Sequence, residues 1–202
     1  LMPDKPFFMY FAPGATHAPH HVPSEWSAKY KGRFDLGWDA LREETFARQQ
    51  ELGIVPAGCE LTTRHPEIPA WDDMPAELKP ILARQMEIYA GFLEHADYHV
   101  GLLIDALADL GVLDDTLVYY IIGDNGASAE GTLQGTFNEM VCINGFGFLE
   151  TTQSLQASID KFGTPAAYNH YAVGWAHAMD TPYQWTKQVA SHWGGIRNGM
   201  IA

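Results

Sequence analysis

The chain has 202 residues, 12 of them Lys or Arg against 25 Asp or Glu, for a formal charge of -13. That balance excludes duplex nucleic acid as a natural partner, because such binding rests on basic patches that neutralise phosphates. Hydrophobic residues make up 47% of the chain, enough to bury a core, and no apolar run approaches a membrane span, so a soluble chain is expected, in cytoplasm or periplasm.

Cys59 and Cys142 have no CxxC partner and are too few for a disulfide framework. The chain opens on an apolar run, Phe7 to Phe11, that reads as a core strand over residues 6–12 with no element before it. This is expected of a piece of a longer protein. Pro13-Gly14 closes the strand. His17, His20 and His21 then follow in a loop braced by Pro19 and Pro23, either a polar loop at a strand's carboxyl end or a solvated His-rich one.

Ser24 reads as the N-cap of a short helix through Tyr30. A second helix over 38–52 places Trp38, Leu41, Thr45 and Leu52 on one face and Arg42, Glu43, Arg48 and Glu51 outside it. Four prolines between Ile54 and Pro75 predict an irregular surface crossing. The longest helix spans 80–110 and ends at Gly111, its stripe running from Leu82 and Met86 to Leu107 and Leu110 against the sheet. His95 and His99 stand one turn apart on it, a spacing that can hold zinc, although no HExxH sequence is present. They are equally read as exposed or core-edge histidines.

Leu117 to Ile122 form a continuous apolar run, predicted to be a strand buried on both faces. It stops at Gly123, and Asp124-Asn125-Gly126 follows. Asn-Gly after a strand signals a hairpin, but nothing downstream alternates to pair back. The competing reading has Asp124 and Asn125 bind a hard cation at a strand's carboxyl end, where open α/β sheets place ligands. Residues 131–147 are glycine-rich and unassigned, 152–162 read as a helix, and Lys187 lies in an aromatic segment with little nearby negative charge. A lone lysine of this kind is read either as a solvated charge or as a site residue.

Four stretches in order carry a resemblance: KPFFMYFAPGATHAPHHVP, the text from Tyr30 to Pro56, the text from Met86 to Gly131 ending in GDNGASAEG, and TPYQWTKQVASHWGGIRNGM. Together they resemble the sulfatases, specifically the arylsulfatase branch of the alkaline phosphatase superfamily, over essentially the whole chain. The resemblance implies an α/β fold, a partial alkaline-phosphatase-like mixed sheet flanked by helices and truncated at both ends, with residues 1–202 forming one partial catalytic domain. It implies that Asp124 and Asn125 are half of a calcium (or magnesium) site. By the same likeness His20 is the histidine of the family's H-x-P segment, and Lys187 the lysine on a sulfate oxygen.

Such enzymes hydrolyse a small-molecule sulfate ester with a formylglycine made inside a Cys/Ser-x-Pro-x-Arg motif. Here Cys59 is followed by Glu-Leu-Thr and Cys142 by Ile-Asn-Gly, so neither fits. The chain alone is therefore expected to be inactive. A phosphodiesterase or phosphonate hydrolase of the same superfamily and a non-catalytic assembly module are the alternatives. Exposed sheet edges would also favour self-association.

Overall fold

Three indoles meet at the centre of the computed structural model, which describes residues 5–202: Trp38 lies 4.9 Å from Trp71 and 5.5 Å from Trp175, ring centre to ring centre, near perpendicular in both pairs. Edge-to-face packing of this kind satisfies the ring quadrupoles while burying large apolar area. Each indole arrives on a different piece of chain. Trp38 is on α2 (Gly37–Glu51), Trp71 on the irregular crossing, and Trp175 on α6 (Val173–Met179).

Around them pack Ile81, Leu82, Met86 and Ile88 from the first half of α3 (Lys79–Asp109), with Leu155 and Phe162. The Trp175 indole N–H donates to the Leu82 carbonyl at 2.9 Å, so its burial leaves no polar atom unmet. Buried Gln85 plays a similar part, accepting from the Ala172 N–H at 3.1 Å and donating to the Gln134 carbonyl at 3.0 Å.

The helices form close to where periodicity puts them, and two expected details differ. The first helix, α1 (Ser24–Ala28), is entered from Pro23, and Ser24 lies inside it with no side-chain cap. Arg42, expected outside, is buried, while Leu52 is 62% exposed. The guanidinium donates to the carbonyls of His177, Pro182 and Tyr183 at 2.8, 3.2 and 3.0 Å. It thereby ties α2 to the segment that leads to Lys187. Residues 54–75 carry turns and no regular element, as four prolines imply.

Along the second half of α3 Leu93 and Leu102 are exposed, as is Leu110 just past its end, while Leu103 and Leu107 of the stripe are half-buried. The expected strand over 6–12 makes no ladder, and Phe7 to Phe11 are exposed. The run 117–122, expected to be buried on both faces, contributes only β1 (Tyr120–Ile121), which pairs antiparallel with β2 (Met200–Ile201). Leu117, Tyr119, Ile121 and Ile122 are also exposed. A strand is buried only when something lies on its faces, and no described segment covers these. What remains is the helix-dominated part of an α/β fold with a small antiparallel sheet. Among the described residues, no helix is long and apolar enough to cross a membrane.

The chain then runs through α4 (Glu139–Ile143) and α5 (Thr152–Ala157), the latter opened by a Thr151 capping box. A short α7 (Trp193–Ile196) precedes β2. Isolated bridges Thr136–His170 and Asn138–Tyr168 hold the glycine-rich stretch against the segment before α6.

Candidate functional site

The turn after β1 is held in place by the chain's end. Gly126 N–H donates to the Gly195 carbonyl at 3.0 Å, and the Asn198 amide donates to the Asn125 carbonyl. Gly126 is required there, because a Cβ would stand 1.6 Å from the Gly194 oxygen. One residue on, Ala127 N–H donates to Asp180 Oδ1 at 2.9 Å, and the Ala127 carbonyl accepts the Lys187 N–H at 2.9 Å. Ala127, through its N–H and its carbonyl, joins the Asp124-Asn125 turn to Asp180 and to the backbone of Lys187. The turn is therefore no hairpin, since its strand pairs with residues some eighty positions away.

The Lys187 ammonium points into a recess of about 200 Å³ lined by Ser128, Ala129, Glu130 and Gln188. It lies 3.2 Å from Glu130 Oε2 and 3.3 Å from His17 Nε2. Glu130 also accepts from Ser128 Oγ at 2.7 Å and from the Gln188 amide at 3.0 Å. Partial burial opposes its ionisation, but the bonds from Ser128 and Lys187 prevail and hold its carboxyl below the usual range. Trp185 and Gln188, flanking Lys187, sit at φ of 68° and 79°. Left-handed backbone costs a side-chain-bearing residue about 1–2 kcal/mol and collects at functional sites.

The three histidines of the proline-braced loop go to three different places. His17 Nδ1 meets the Ala18 carbonyl at 2.9 Å, so the proton sits on Nδ1 and Nε2 offers its lone pair to Lys187. His20 is 1% exposed, with its ring stacked on Tyr171 and edge-on to Tyr89, and its Nδ1 has no partner. Burial first, and the neighbouring His170 second, hold its pKa well below the usual imidazole value. His21 donates to the Ala167 carbonyl at 2.6 Å. The imidazole beside the lysine is thus His17, and His20 is a core residue in this chain.

Asp124 is exposed, and its Oδ1 accepts from the Asn125 amide. Among the described residues, no three His, Cys, Asp or Glu side chains gather as a metal-ligand set. Asp124 and Asn125 supply hard oxygen donors of the type calcium takes, but only two residues toward its six to eight ligands. Cys59 and Cys142 are both free, and neither stands in a Cys/Ser-x-Pro-x-Arg sequence.

A family model for the sulfatases matches residues 2–202. The chain belongs to the sulfatase family. It is 31% identical over 200 residues to an uncharacterized sulfatase of Schizosaccharomyces pombe, a match covering 95% of this chain and 33% of that protein. It is also 27% identical over 199 residues to an arylsulfatase of Klebsiella aerogenes, covering 98% of this chain and 40% of that one. The chain thus spans between a third and two fifths of the length of these sulfatases.

The cluster around Lys187 and the Asp124-Asn125 turn contains residues that motif reading passed over. His-x-Pro is spelled twice in the loop, at His17-Ala18-Pro19 and at His21-Val22-Pro23, and His20 heads neither triplet. Glu130 stands inside the same GDNGASAEG stretch as Asp124. Asp180, which accepts from Ala127 N–H, and Arg42, which binds the 177–183 segment, had no sequence signal, because only the fold brings their partners to them.

Proposed function

We propose that this chain supplies the anion-binding edge of a sulfatase active site, whose reaction in the whole protein is hydrolysis of a sulfate monoester. The observation that carries the reading is the convergence of Lys187 with His17 and, through Ala127, with the turn bearing Asp124 and Asn125. Lys187 binds and orients a sulfate oxygen by its fixed positive charge. His17, rather than His20, is the imidazole beside Lys187 and, only when Nε2 also carries a proton, is the group placed to hand that proton to the leaving oxygen. Asp124 and Asn125 would hold a calcium or magnesium ion together with ligands from outside this chain, and that ion supplies Lewis acidity when bound.

A second cavity of about 280 Å³ is lined by Ile68, Leu133, Val173 and Trp185, with Arg64 and His65 also among its lining residues. Its apolar floor suits the organic part of an ester. The formal charge of -13 does not oppose an anionic substrate, because nearby cations set the field at a cleft more than distant carboxylates do.

The test has two arms, assayed with 4-nitrophenyl sulfate and 4-nitrophenyl phosphate. The chain alone should show no turnover, and the same chain within a protein carrying the Cys/Ser-x-Pro-x-Arg motif should cleave the sulfate ester. There, K187A and H17A should each lower kcat/KM by roughly a hundredfold or more, in the range seen when one oxyanion donor or acid is removed. Full activity in H17A with loss in H20A would return the role to His20, and preference for the phosphate ester would overturn the reading.

A further inference from the structure

The pair His95 and His99 belongs to no part of the site above. Both project from the middle of α3 on a face that reaches solvent, with ring centres 4.5 Å apart and the two Nε2 atoms 3.2 Å apart. We propose that these two imidazoles form a two-ligand clamp for a borderline d-block divalent cation of the zinc, nickel or copper class, distinct from the oxygen-ligand position at Asp124 and Asn125.

The distance carries the argument. With metal–nitrogen bonds of about 2.0–2.1 Å, nitrogens 3.2 Å apart subtend an angle of about 100° at the ion. That angle lies between the tetrahedral value and that of adjacent positions in an octahedron, so neither ring has to move far. A plain imidazole–imidazole hydrogen bond at a wet surface adds little stability, since water offers the same bond. The Trp26 indole stands edge-on to His95 with ring centres 5.2 Å apart and limits how that ring turns. Lys29 lies over Trp26 at 3.8 Å, but its charge is matched by Glu94 at 2.8 Å. Neutral imidazole prefers these softer ions over calcium and magnesium, which take oxygen. Water or a ligand from a partner fills the remaining positions.

The test is titration of the chain with Cu2+, Ni2+, Zn2+ and Ca2+, read by tryptophan fluorescence and calorimetry. Cu2+ and Ni2+ should quench the emission of Trp26, which W26F removes from the signal, and Ca2+ should not. H95A and H99A should each weaken Ni2+ binding by about tenfold or more, while H65A and H192A leave it unchanged. A readout needing no variant is selective broadening of the His95 and His99 imidazole resonances by Ni2+. The clamp is overturned if the H95A/H99A double variant titrates like the parent, or if Ni2+ broadens other histidines first.

Discussion

The Lys187 ammonium lies 3.3 Å from His17 Nε2, a contact that joins residues 170 positions apart. On its other side, at 3.2 Å, stands the Glu130 carboxylate. An anion entering the recess meets a cation already shared between a lone pair and a negative charge. If the recess takes the sulfate group, as proposed, Glu130 is the carboxylate that group must compete with for Lys187.

The first prediction is that E130Q tightens sulfate binding and K187M weakens it. The ion pair itself adds little to stability, because both side chains are partly exposed at 21% and 28%, and such pairs are worth below about 1 kcal/mol. Thermal unfolding of both variants should stay close to that of the parent while sulfate affinity, read by calorimetry, moves in opposite directions. Equal weakening by both substitutions would mean that Glu130 helps to build the recess and does not compete with its ligand.

The second prediction concerns pH. Burial raises the Asp180 pKa from 3.8 to about 7, against the opposing pull of the Ala127 N–H and Arg42. The folded chain thus keeps a proton that the unfolded chain releases, so this group's contribution is complete below about 4 and is lost as pH rises toward 7. The loss is on the order of a few kcal/mol. Buried His170 and His177 act oppositely: burial lowers both from 6.5 to about 4, so their contribution is present above 6.5 and lost as pH falls toward 4. D180N keeps an acceptor for Ala127 and removes only the titrating carboxyl. Its stability relative to the parent should climb between pH 4 and 7 in denaturant titrations. Parallel curves for the two proteins across that range would refute the assignment.

The third prediction tests the Gly126-Ala127 backbone that links the turn to Lys187. G126A forces a Cβ to within 1.6 Å of the Gly194 oxygen, so α7 or the turn must move. The cost of such overpacking is about 1–3 kcal/mol. Because Ala127 is next in the chain and binds Lys187, sulfate affinity should fall with stability. G101A, at a helix position with open space around it, should be neutral or slightly stabilising. Loss of stability in G126A without loss of anion binding would uncouple the turn from the lysine.

How much of this was legible depended on whether the cause was local. The helices α2 and α3 announce themselves through spacing and through Gly111, whose φ of 69° ends the long one. Asp124, Asn125 and Lys187 could be singled out because they interrupt apolar or uncharged text. Arg42 could not, since a buried guanidinium and a surface one look alike until His177, Pro182 and Tyr183 fold over it. His20 and His17 show the same limit, three residues apart in one loop, with only packing to decide which is buried. For Leu117 to Ile122 the apolar run is read directly, but burial belongs to whatever covers it, and that is not written in the run itself.

The last prediction follows from those uncovered faces. Phe8 is 92% exposed, Tyr10 84%, Leu117 72% and Ile121 61%, and β1 with β2 makes a sheet of only two strands. Two-stranded sheets are marginal in water, and their outer backbone groups are free to pair with another chain. We expect the isolated chain to associate, with Leu117–Ile122 among the residues in contact, and sedimentation velocity should show dimers or larger species that grow with concentration. Lysine at an exposed edge position opposes such pairing, so I121K should shift the distribution toward monomer while leaving the indole core, and hence the near-ultraviolet dichroism, intact. A parent chain that sediments as a monomer across the whole concentration range would contradict the expectation directly. If I121K leaves the association unchanged, the contact lies elsewhere, and F8K then asks whether the segment before the histidine loop carries it.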